Sequence, residues 1–369
     1  MPDVREVFDE DHEAFRESFR EFLDRVVLPG REGRQRSARM PHQVFLAAAD
    51  SGFLGMQIPE EHGGGGVDDV RFGLVAAAEL TRAGLVGAAL AFTAHTNVAV
   101  PVLTSWADTG QQSTWLPDLA SGRTLTAVVG TSDPIPYEPC TGGLRLKGTA
   151  KGVVNGTTAG LLVVAARSGS GECAVVVVDA ATEGVSREQG PELLGMHGAD
   201  LADIHLEGVK VSAACVLRGD AVEQIRALCA DEHLALATIG VEGARAALAW
   251  TLDHVRQRKV FGRTLAEFEN TRFALADVAA DIALADTYLD ACTRDRLAGR
   301  FSRGRAAAAK LRCTELFGRA VDQGMQLHGG YGYMREYPIA QAYADARYLR
   351  LHGGSSEDMK EVLAVGLGL

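Results

Sequence analysis

The sequence has few positive charges for its size. Its 369 residues contain 37 Lys and Arg against 48 Asp and Glu, which gives a formal net charge of −11. Nucleic-acid binding needs a basic face that pairs with phosphates, so this balance argues against a nucleic-acid partner. Small acidic ligands remain compatible with the sequence through a few local arginines.

Long apolar runs are also missing. The first ten residues are acidic and contain no apolar stretch, so no secretory signal is predicted. The longest apolar runs, such as residues 174–178, have the length of a strand, and we expect none of them to span a bilayer. A protein without a membrane segment is therefore predicted.

The cysteines lack the spacing of a metal site or a redox pair. There are six of them, without a Cys-x-x-Cys pair, and we expect buried small side chains in a reducing compartment. They are Cys140, Cys173, Cys215, Cys229, Cys292 and Cys313. No Walker loop, His-x-x-x-His pair or Ser/His/Asp order is present, which disfavours hydrolases and metalloenzymes. We predict a cytoplasmic protein without a bound metal.

Three parts of the chain differ in their pattern. In residues 5–122 the apolar spacing is helical, as at Phe15, Phe19 and Phe22, with a glycine-rich loop at 58–67. Short aliphatic runs between Thr124 and Leu217 alternate with turn residues and predict strands. From Ala221 the chain is alanine-rich, with long segments typical of bundle helices.

The pattern predicts a mainly helical α+β protein with three domains. These are an N-terminal helical domain (1–122), a central β-barrel-like domain (123–218) and a C-terminal helical bundle (219–369), for which the resemblance described below implies a four-helix bundle. The predicted strands are residues 125–129, 161–165, 174–178 and 209–211, and the predicted helices include 70–85, 234–258 and 266–297.

Five segments occur in the order found in one known family. Arg-Lys-Val-Phe-Gly at 258–262 is followed by Gln-Leu-His-Gly-Gly-Tyr-Gly at 326–332. Three weaker matches precede them, at 52–64, at 115–122 and at 194–198 with 206–211. Taken together, the chain resembles the acyl-CoA dehydrogenase family, flavoproteins that desaturate acyl thioesters, over essentially its whole length.

The resemblance implies FAD as cofactor and assigns residues to it. Arg258 and Phe261 match the pair that reaches the flavin of a neighbouring subunit, which implies a homodimer or homotetramer, or a heteromer. An arginine fork suits a pyrophosphate because its planar donors pair with two oxygens. The alternative for Arg258 is an exposed arginine that is favoured near a helix C-terminus by the helix dipole.

A second group of residues matches the part of the family site that holds the diphosphate and adenosine of FAD. It comprises Gln326, Gly329 and Gly330, where paired glycines allow a close approach of the backbone. A helix C-cap is the alternative for these glycines. Ser355 takes the place of a frequent threonine and adds a hydroxyl to the same site, or it caps a helix over residues 357–362.

The β-domain departs from the family pattern. Residues 129–143 are shortened where members read Thr-Glu-Pro and Gly-Ser-Asp. Val153 and Val154 occupy the positions of a Trp-Ile pair that lines the flavin, and Asn155 or its successors replace a threonine. The resemblance therefore implies a rebuilt face toward flavin and thioester.

The base is the other departure. Gly353 stands where most members carry their catalytic glutamate, in residues 351–357. Some members place the glutamate on an earlier bundle helix, and Glu232 falls on that position. We expect Glu232 to remove the α-proton, with burial between flavin and substrate raising its pKa toward neutrality. The alternative is that Asp231 and Glu232 are first-turn acids at a helix N-terminus.

The predicted reaction is α,β-desaturation of an acyl thioester, with FAD as hydride acceptor. The acyl carrier is coenzyme A or a carrier protein, and the electron acceptor is electron-transfer flavoprotein or oxygen. Two other functions stay open: a flavin-dependent oxidase or monooxygenase of specialised metabolism, and a catalytically silent partner subunit. We also expect Asp345 and Arg347 to form a structural pair and His328 to be a packing histidine.

Overall fold

The computed structural model describes residues 5–29 and 37–369. The first part of the chain, up to Ala120, is helical. Helix α1 begins after Asp9, whose carboxylate accepts from the amide of His12 in a capping box. Its apolar face buries Phe19 and Phe22 and confirms the predicted periodicity. A π-helical turn, Leu23–Val27, extends it. The helices of this part are α1 (Glu10–Phe22), α2 (His42–Asp50), α3 (Val70–Arg82), α4 (Val86–Thr93), α5 (Val100–Trp106) and α6 (Thr109–Ala120).

One helical stretch of the described residues is long and apolar enough to cross a membrane. It runs over Val86–Trp106, through α4, a π-helical segment and α5, and 94% of its most apolar window is buried inside the protein. The expectation that no run of the sequence has this length is therefore wrong. The burial identifies the stretch as a core helix of this fold.

A seven-stranded mixed sheet follows the first helices. β4 lies at its centre, parallel to β1 and β2 on one side and antiparallel to β5 on the other. β3 joins β2 to β7, and β6 pairs with β7 at the edge. The strands are β1 (Thr126–Val129), β2 (Ile135–Cys140), β3 (Gly143–Val153), β4 (Leu161–Ser168), β5 (Cys173–Asp179), β6 (Val185–Gln189) and β7 (Ala202–Ser212).

The central strands are buried on both faces. In β4, Leu162 and Val164 pack into the core of the sheet, while Val163 packs toward α5 and α6. Val176 and Val177 of β5 divide in the same way. Because successive side chains of a strand point to opposite faces, a sheet between two apolar layers produces the continuous valine runs of the sequence.

Five helices complete the chain. The first is long and begins after Asp220, which caps it through the amides of Val222 and Glu223. A small hairpin, β8 (Lys259–Val260) with β9 (Arg263–Thr264), joins the first two. The helices are α7 (Ala221–Gln257), α8 (Glu269–Leu297), α9 (Arg303–His328), α10 (Pro338–Leu349) and α11 (Ser356–Gly366).

Helices from the two ends of the chain share one hydrophobic core. Phe19 and Leu74 from the first part belong to the same cluster as Leu234, Ile239 and Phe317 from the last. The predicted fold class, mainly helical with a central sheet, is confirmed. The division into domains at 122 and 218 stays a prediction. Of the six cysteines only Cys292 and Cys313 are buried, so the expectation of burial is wrong for the other four.

Candidate active site

A cavity of about 640 Å³ opens between the sheet and the C-terminal helices. Its β-domain wall is made by residues 130–133 after β1, by residues 149–153 of β3 and by Val154, which follows β3. Residues 351–355 and Glu232 form the opposite wall. Apolar side chains of α4 and the following π-helical segment line it as well, among them Leu90 and Val98. The cavity combines apolar surface with a few polar groups, as small-molecule sites do.

Glu232 lies in the interior of α7, about three turns after the first residue of the helix. The alternative that Glu232 is a first-turn acid is therefore wrong. Its neighbour Asp231 is buried, points elsewhere and makes a bidentate ion pair with the partly exposed Arg296 of α8, at 2.5 and 2.9 Å. The two carboxylates thus serve different purposes, because one fixes the helix and the other faces the cavity.

Gly353 and Glu232 adjoin each other. A Cβ atom added to Gly353 would lie 3.2 Å from Cδ of Glu232 and 2.9 Å from Cδ1 of Leu236. The backbone of Gly353 also has φ +63°, in the left-handed region that favours glycine. The carboxyl group of Glu232 therefore occupies the space into which a side chain at position 353 would extend.

Two side chains fix the segment that carries Gly353. His233 Nε2 donates to the Gly353 carbonyl at 2.8 Å, and the Lys310 ammonium donates to the Gly354 carbonyl. Lys310 is only 1% exposed, and burial lowers its pKa to about 8 against the opposing attraction of Glu232 and Asp358. His233 of α7 and Lys310 of α9 thereby hold the 351–355 segment next to Glu232.

The Glu232 carboxylate has one contact at each oxygen. Oε2 accepts from the Thr131 hydroxyl at 3.2 Å, and Oε1 lies 3.4 Å from Nε2 of His352. Burial acts to raise the pKa of Glu232, but His352, His233 and Lys310 outweigh it and hold that pKa below its usual value. Glu232 is therefore ionised at neutral pH in the protein without ligands. The raised pKa expected for burial between flavin and substrate stays a prediction.

Ser355 combines two positions. It is the N-cap of α11, where its hydroxyl accepts from the Asp358 amide at 3.1 Å and donates to the Asp358 carboxylate at 2.8 Å. It also lines the cavity. A helix N-terminus favours an anionic group such as a phosphate. Helix capping is thus confirmed for Ser355, and its contact with FAD stays a prediction.

The other residues assigned to FAD lie outside the cavity lining. We call them the hairpin–turn surface: Arg258, Phe261, Gln326, Gly329 and Gly330. The Arg258 guanidinium lies 5.6 Å from the ring centroid of Tyr331, so the hairpin after α7 and the turn after α9 are adjacent. Phe261 is 97% exposed at the hairpin tip. Gly329 ends α9, and a Cβ on Gly330 would meet open space. The structure thus brings these residues together on the surface.

Two further expectations concern Asp345 and Asn155. Asp345 accepts from the Met196 amide at 2.6 Å and from Gln341 at 2.9 Å, with its pKa raised by burial to about 6. A structural pair of Asp345 with Arg347 is therefore wrong. Asn155 faces the protein interior, because its amide donates to the carbonyls of Ala91 and Thr126. Asn155 is not part of the cavity lining, whereas Val153 and Val154 are, and the replacement of the threonine by Asn155 or its successors stays a prediction.

His328 agrees with its prediction. Its Nδ1 donates to the Gly324 carbonyl at 2.7 Å, and its ring stacks on His254 at 4.2 Å. It is a packing histidine at the end of α9. Thr131 and His352, by contrast, are cavity residues that the sequence did not reveal, because their role depends on contacts with a helix more than a hundred residues away.

Comparison with known proteins identifies the family. Family models of the acyl-CoA dehydrogenase N-terminal and C-terminal domains match residues 9–123 and 222–368. The mitochondrial long-chain specific acyl-CoA dehydrogenase of Rattus norvegicus is 29% identical, over 98% of this chain and 87% of that protein. A 3-(aryl)acrylate reductase of Clostridium sporogenes is 26% identical, over 98% of this chain and 99% of that protein.

The fold agrees with these matches. The crystal structure of an acyl-CoA dehydrogenase from Geobacillus kaustophilus superimposes with a TM-score of 0.92 at 28% identity, over 99% of this chain and all of that one. The chain therefore belongs to the acyl-CoA dehydrogenase family. It is an oxidoreductase, and its cofactor is FAD.

Proposed function

We propose that the protein desaturates an acyl thioester between its α- and β-carbons, with Glu232 as the base. The observation that carries this proposal is the Glu232 carboxylate in the cavity wall beside Gly353. An α-proton requires a carboxylate within hydrogen-bond reach that is ionised before the reaction. Glu232 is 16% exposed in the cavity wall and its pKa lies below the usual value, so a ligand in the cavity would meet an ionised carboxylate at neutral pH.

The cavity suits the cofactor of the family. Its volume lies within the range of roughly 300–1,000 Å³ that small-molecule and cofactor sites occupy. Val153 and Val154 offer it apolar surface, and the N-terminus of α11 at Ser355 offers a place for negative charge. Ser355 would hold FAD from this subunit. Arg258, Phe261, Gln326, Gly329 and Gly330 would hold the FAD of a neighbouring subunit.

Bound FAD supplies the acceptor for the hydride that leaves the β-carbon. The protein supplies the proton acceptor, since Glu232 becomes a carboxylic acid when it takes the α-proton. The electron pair of the broken α-carbon–hydrogen bond then forms the new double bond. The apolar lining at Leu90, Ala94 and Val98 would exclude water from an acyl chain in the cavity.

The substitution Glu232→Gln tests the base assignment. It keeps the shape of the side chain and removes its basicity, so we expect anaerobic reduction of bound FAD by a competent acyl-CoA to slow by about 10²–10⁴-fold. Glu223→Gln is the matched control, because Glu223 is 61% exposed in the first turn of the same helix. Reduction of the Glu232→Gln protein at the wild-type rate would overturn the assignment.

The proposal extends to the partners and the location. We infer an assembly of at least two chains, supported by the position of Arg258 and Phe261 outside the cavity lining of their own chain. Acyl-CoA is the proposed carrier form and electron-transfer flavoprotein the proposed acceptor. Rapid oxygen consumption without that acceptor would indicate an oxidase instead. A purified chain that refuses added FAD would indicate a silent partner subunit. The cytoplasmic location stays a prediction.

A further inference from the structure

We infer that His352 and Thr131 are positioning residues that hold the Glu232 carboxylate in its ionised form and aim it into the cavity. This inference rests on the proposed role of Glu232 as the base. Each residue contacts a different carboxylate oxygen, and they come from different parts of the chain. His352 belongs to the C-terminal segment that contains Gly353, and Thr131 belongs to the loop between β1 and β2.

Both contacts are anchored by further interactions. The imidazole of His352 stacks on the ring of Tyr348 at a centroid distance of 5.9 Å and an angle of 23°. The next residue, Gly353, is fixed through its carbonyl by His233. On the other side, the Thr131 carbonyl accepts from the thiol of Cys229, which lies one turn before Glu232 on α7. The ring of His352 and the backbone of Thr131 are thus each held by a contact besides the one to Glu232.

The charges around Glu232 make His352 the decisive neighbour. His233 lies on the same helix but turns its Nε2 to the Gly353 carbonyl, and burial lowers its pKa. The Lys310 ammonium is directed at the Gly354 carbonyl. The imidazole of His352 is the side chain that contacts a Glu232 oxygen directly and can carry positive charge. The remaining titratable groups that line the cavity or adjoin Glu232 are Asp133, Lys151, Cys229, Tyr348 and Asp358.

The loop between β1 and β2 takes part in this arrangement through Thr131. Thr131 lies in the part of the sequence that departs from the family pattern, and its hydroxyl donates to the base. A hydrogen bond to the charged form of a carboxylate favours that form. The relocated base and the rebuilt loop thus form one unit, in which the loop provides one of two contacts that orient the carboxylate.

The first test is the pH profile of FAD reduction by an acyl-CoA under anaerobic conditions. In His352→Gln we expect the acidic limb to move to higher pH, because burial then raises the pKa of Glu232 with less opposition. At the acidic end the rate should fall by about tenfold, and at high pH it should approach that of the wild type. Thr131→Val should shift the limb in the same direction by a smaller amount, since it removes a neutral donor.

His205→Gln is the matched control. His205 also lies near a carboxylate, with Nε2 3.8 Å from Glu188, but on strand β7 and outside the cavity lining. Its pH profile should match that of the wild type. A loss of rate in His352→Gln that is equal at every pH would overturn the inference, because it would show a packing role without influence on the ionisation of Glu232.

The second test needs no turnover. Histidine-labelled protein is examined by NMR at one fixed pH, and the ring signals of His352 are compared between the wild type and Glu232→Gln. We expect the His352 signals to move and the His205 signals to stay in place. Unmoved His352 signals would overturn the pairing. Moved signals together with normal FAD reduction by Glu232→Gln would overturn the function of the base and the positioning role, and they would locate the failure in the proposed reaction.

Discussion

The cavity wall around Glu232 and the hairpin–turn surface differ in how their functional groups are held. Around Glu232 the functional groups are held by polar contacts with other side chains. The Thr131 hydroxyl and the His352 imidazole contact Glu232, and the buried Lys310 contacts the Gly354 carbonyl. On the hairpin–turn surface, Phe261 is 97% exposed, and the Arg258 guanidinium lies over the ring of the adjoining Tyr331. The first region is preorganised, and the second presents aromatic and cationic groups outward.

This difference separates two kinds of chemistry. A base must be oriented to a fraction of an ångström, which requires contacts that exist before the substrate arrives. Exposed aromatic rings next to an arginine are typical of surfaces that bury themselves against another molecule. We therefore expect changes near Glu232 to alter stability and proton transfer, and changes at the hairpin–turn surface to alter the retention of FAD while leaving the fold intact.

The largest expected effect comes from adding a methyl group at Gly353, next to the Glu232 carboxylate. Gly353→Ala places a Cβ against Leu236 and Glu232 on a backbone with positive φ, so we expect a loss of about 2 kcal/mol in the free energy of unfolding. Gly330→Ala is its counterpart on the hairpin–turn surface, where a Cβ meets nothing within 4 Å. Its stability should stay within about 0.5 kcal/mol of the wild type.

Denaturant unfolding of the two variants measures the contrast. Equal stability of Gly353→Ala and Gly330→Ala would show that residues 351–355 accommodate the added methyl group without cost. The cavity wall beside Glu232 would then not be preorganised.

The next effect concerns the cofactor. Arg258→Ala removes a guanidinium that the family resemblance assigns to a flavin pyrophosphate, and loss of a charge-assisted hydrogen bond should weaken FAD binding by about tenfold. Arg256→Ala is the matched control, because Arg256 lies in the last turn of the same helix and is 66% exposed. FAD stoichiometry after gel filtration and a fluorescence titration of the apoprotein give the two affinities.

Thermal unfolding of the apoproteins completes this comparison. Arg258→Ala should unfold at the wild-type temperature, since its side chain is exposed. FAD affinity equal to that of Arg256→Ala would contradict the assignment of the hairpin–turn surface to cofactor binding.

The smallest effect is a pH dependence caused by Lys310. Its folded-state pKa of about 8 lies below the ordinary value of 10.5, so the unfolded chain binds more protons between these pH values. The free energy of unfolding should therefore rise by about 1 kcal/mol from pH 8 to pH 9. Lys310→Met should lack this rise, whereas Lys360→Met, at an exposed position on α11, should keep it. A rise of equal size in both variants would assign it to other groups.

Helices were predictable where one face is apolar throughout, and strands where valine runs are continuous. β1, β4, β5 and part of β7 were expected from their sequences, but β2, β3 and β6 were not. In β2 the buried residues Ile135 and Tyr137 alternate with Pro136 and Glu138, so a period of two was present but interrupted by prolines. β6 has no buried residue, and its pairing with β7 alone defines it as a strand.

The position of Glu232 beside Gly353 followed from the family resemblance, but its environment did not. Thr131 and His352 reach the base only because the sheet and the C-terminal segment pack on either side of α7. The direction of the pKa shift of Glu232 depends on these neighbours and on the buried Lys310. Local sequence carries no information about such contacts, and burial alone acts in the opposite direction.

The core shared by both ends of the chain constrains the order in which the protein folds during synthesis. The core of the sheet comprises residues between Ala127 and Val211 and closes as soon as that segment has left the ribosome. Leu80 of α3 belongs to the same core cluster as Leu234 of α7, which lies about 150 residues later in the sequence. Synthesis of these residues takes roughly 10–30 s at common elongation rates. Arg5 can pair with Asp290 only after 290 of the 369 residues have been synthesised. We therefore expect part of the apolar surface of the N-terminal helices to stay exposed until the C-terminal helices have been synthesised, and we expect this surface to attract chaperones.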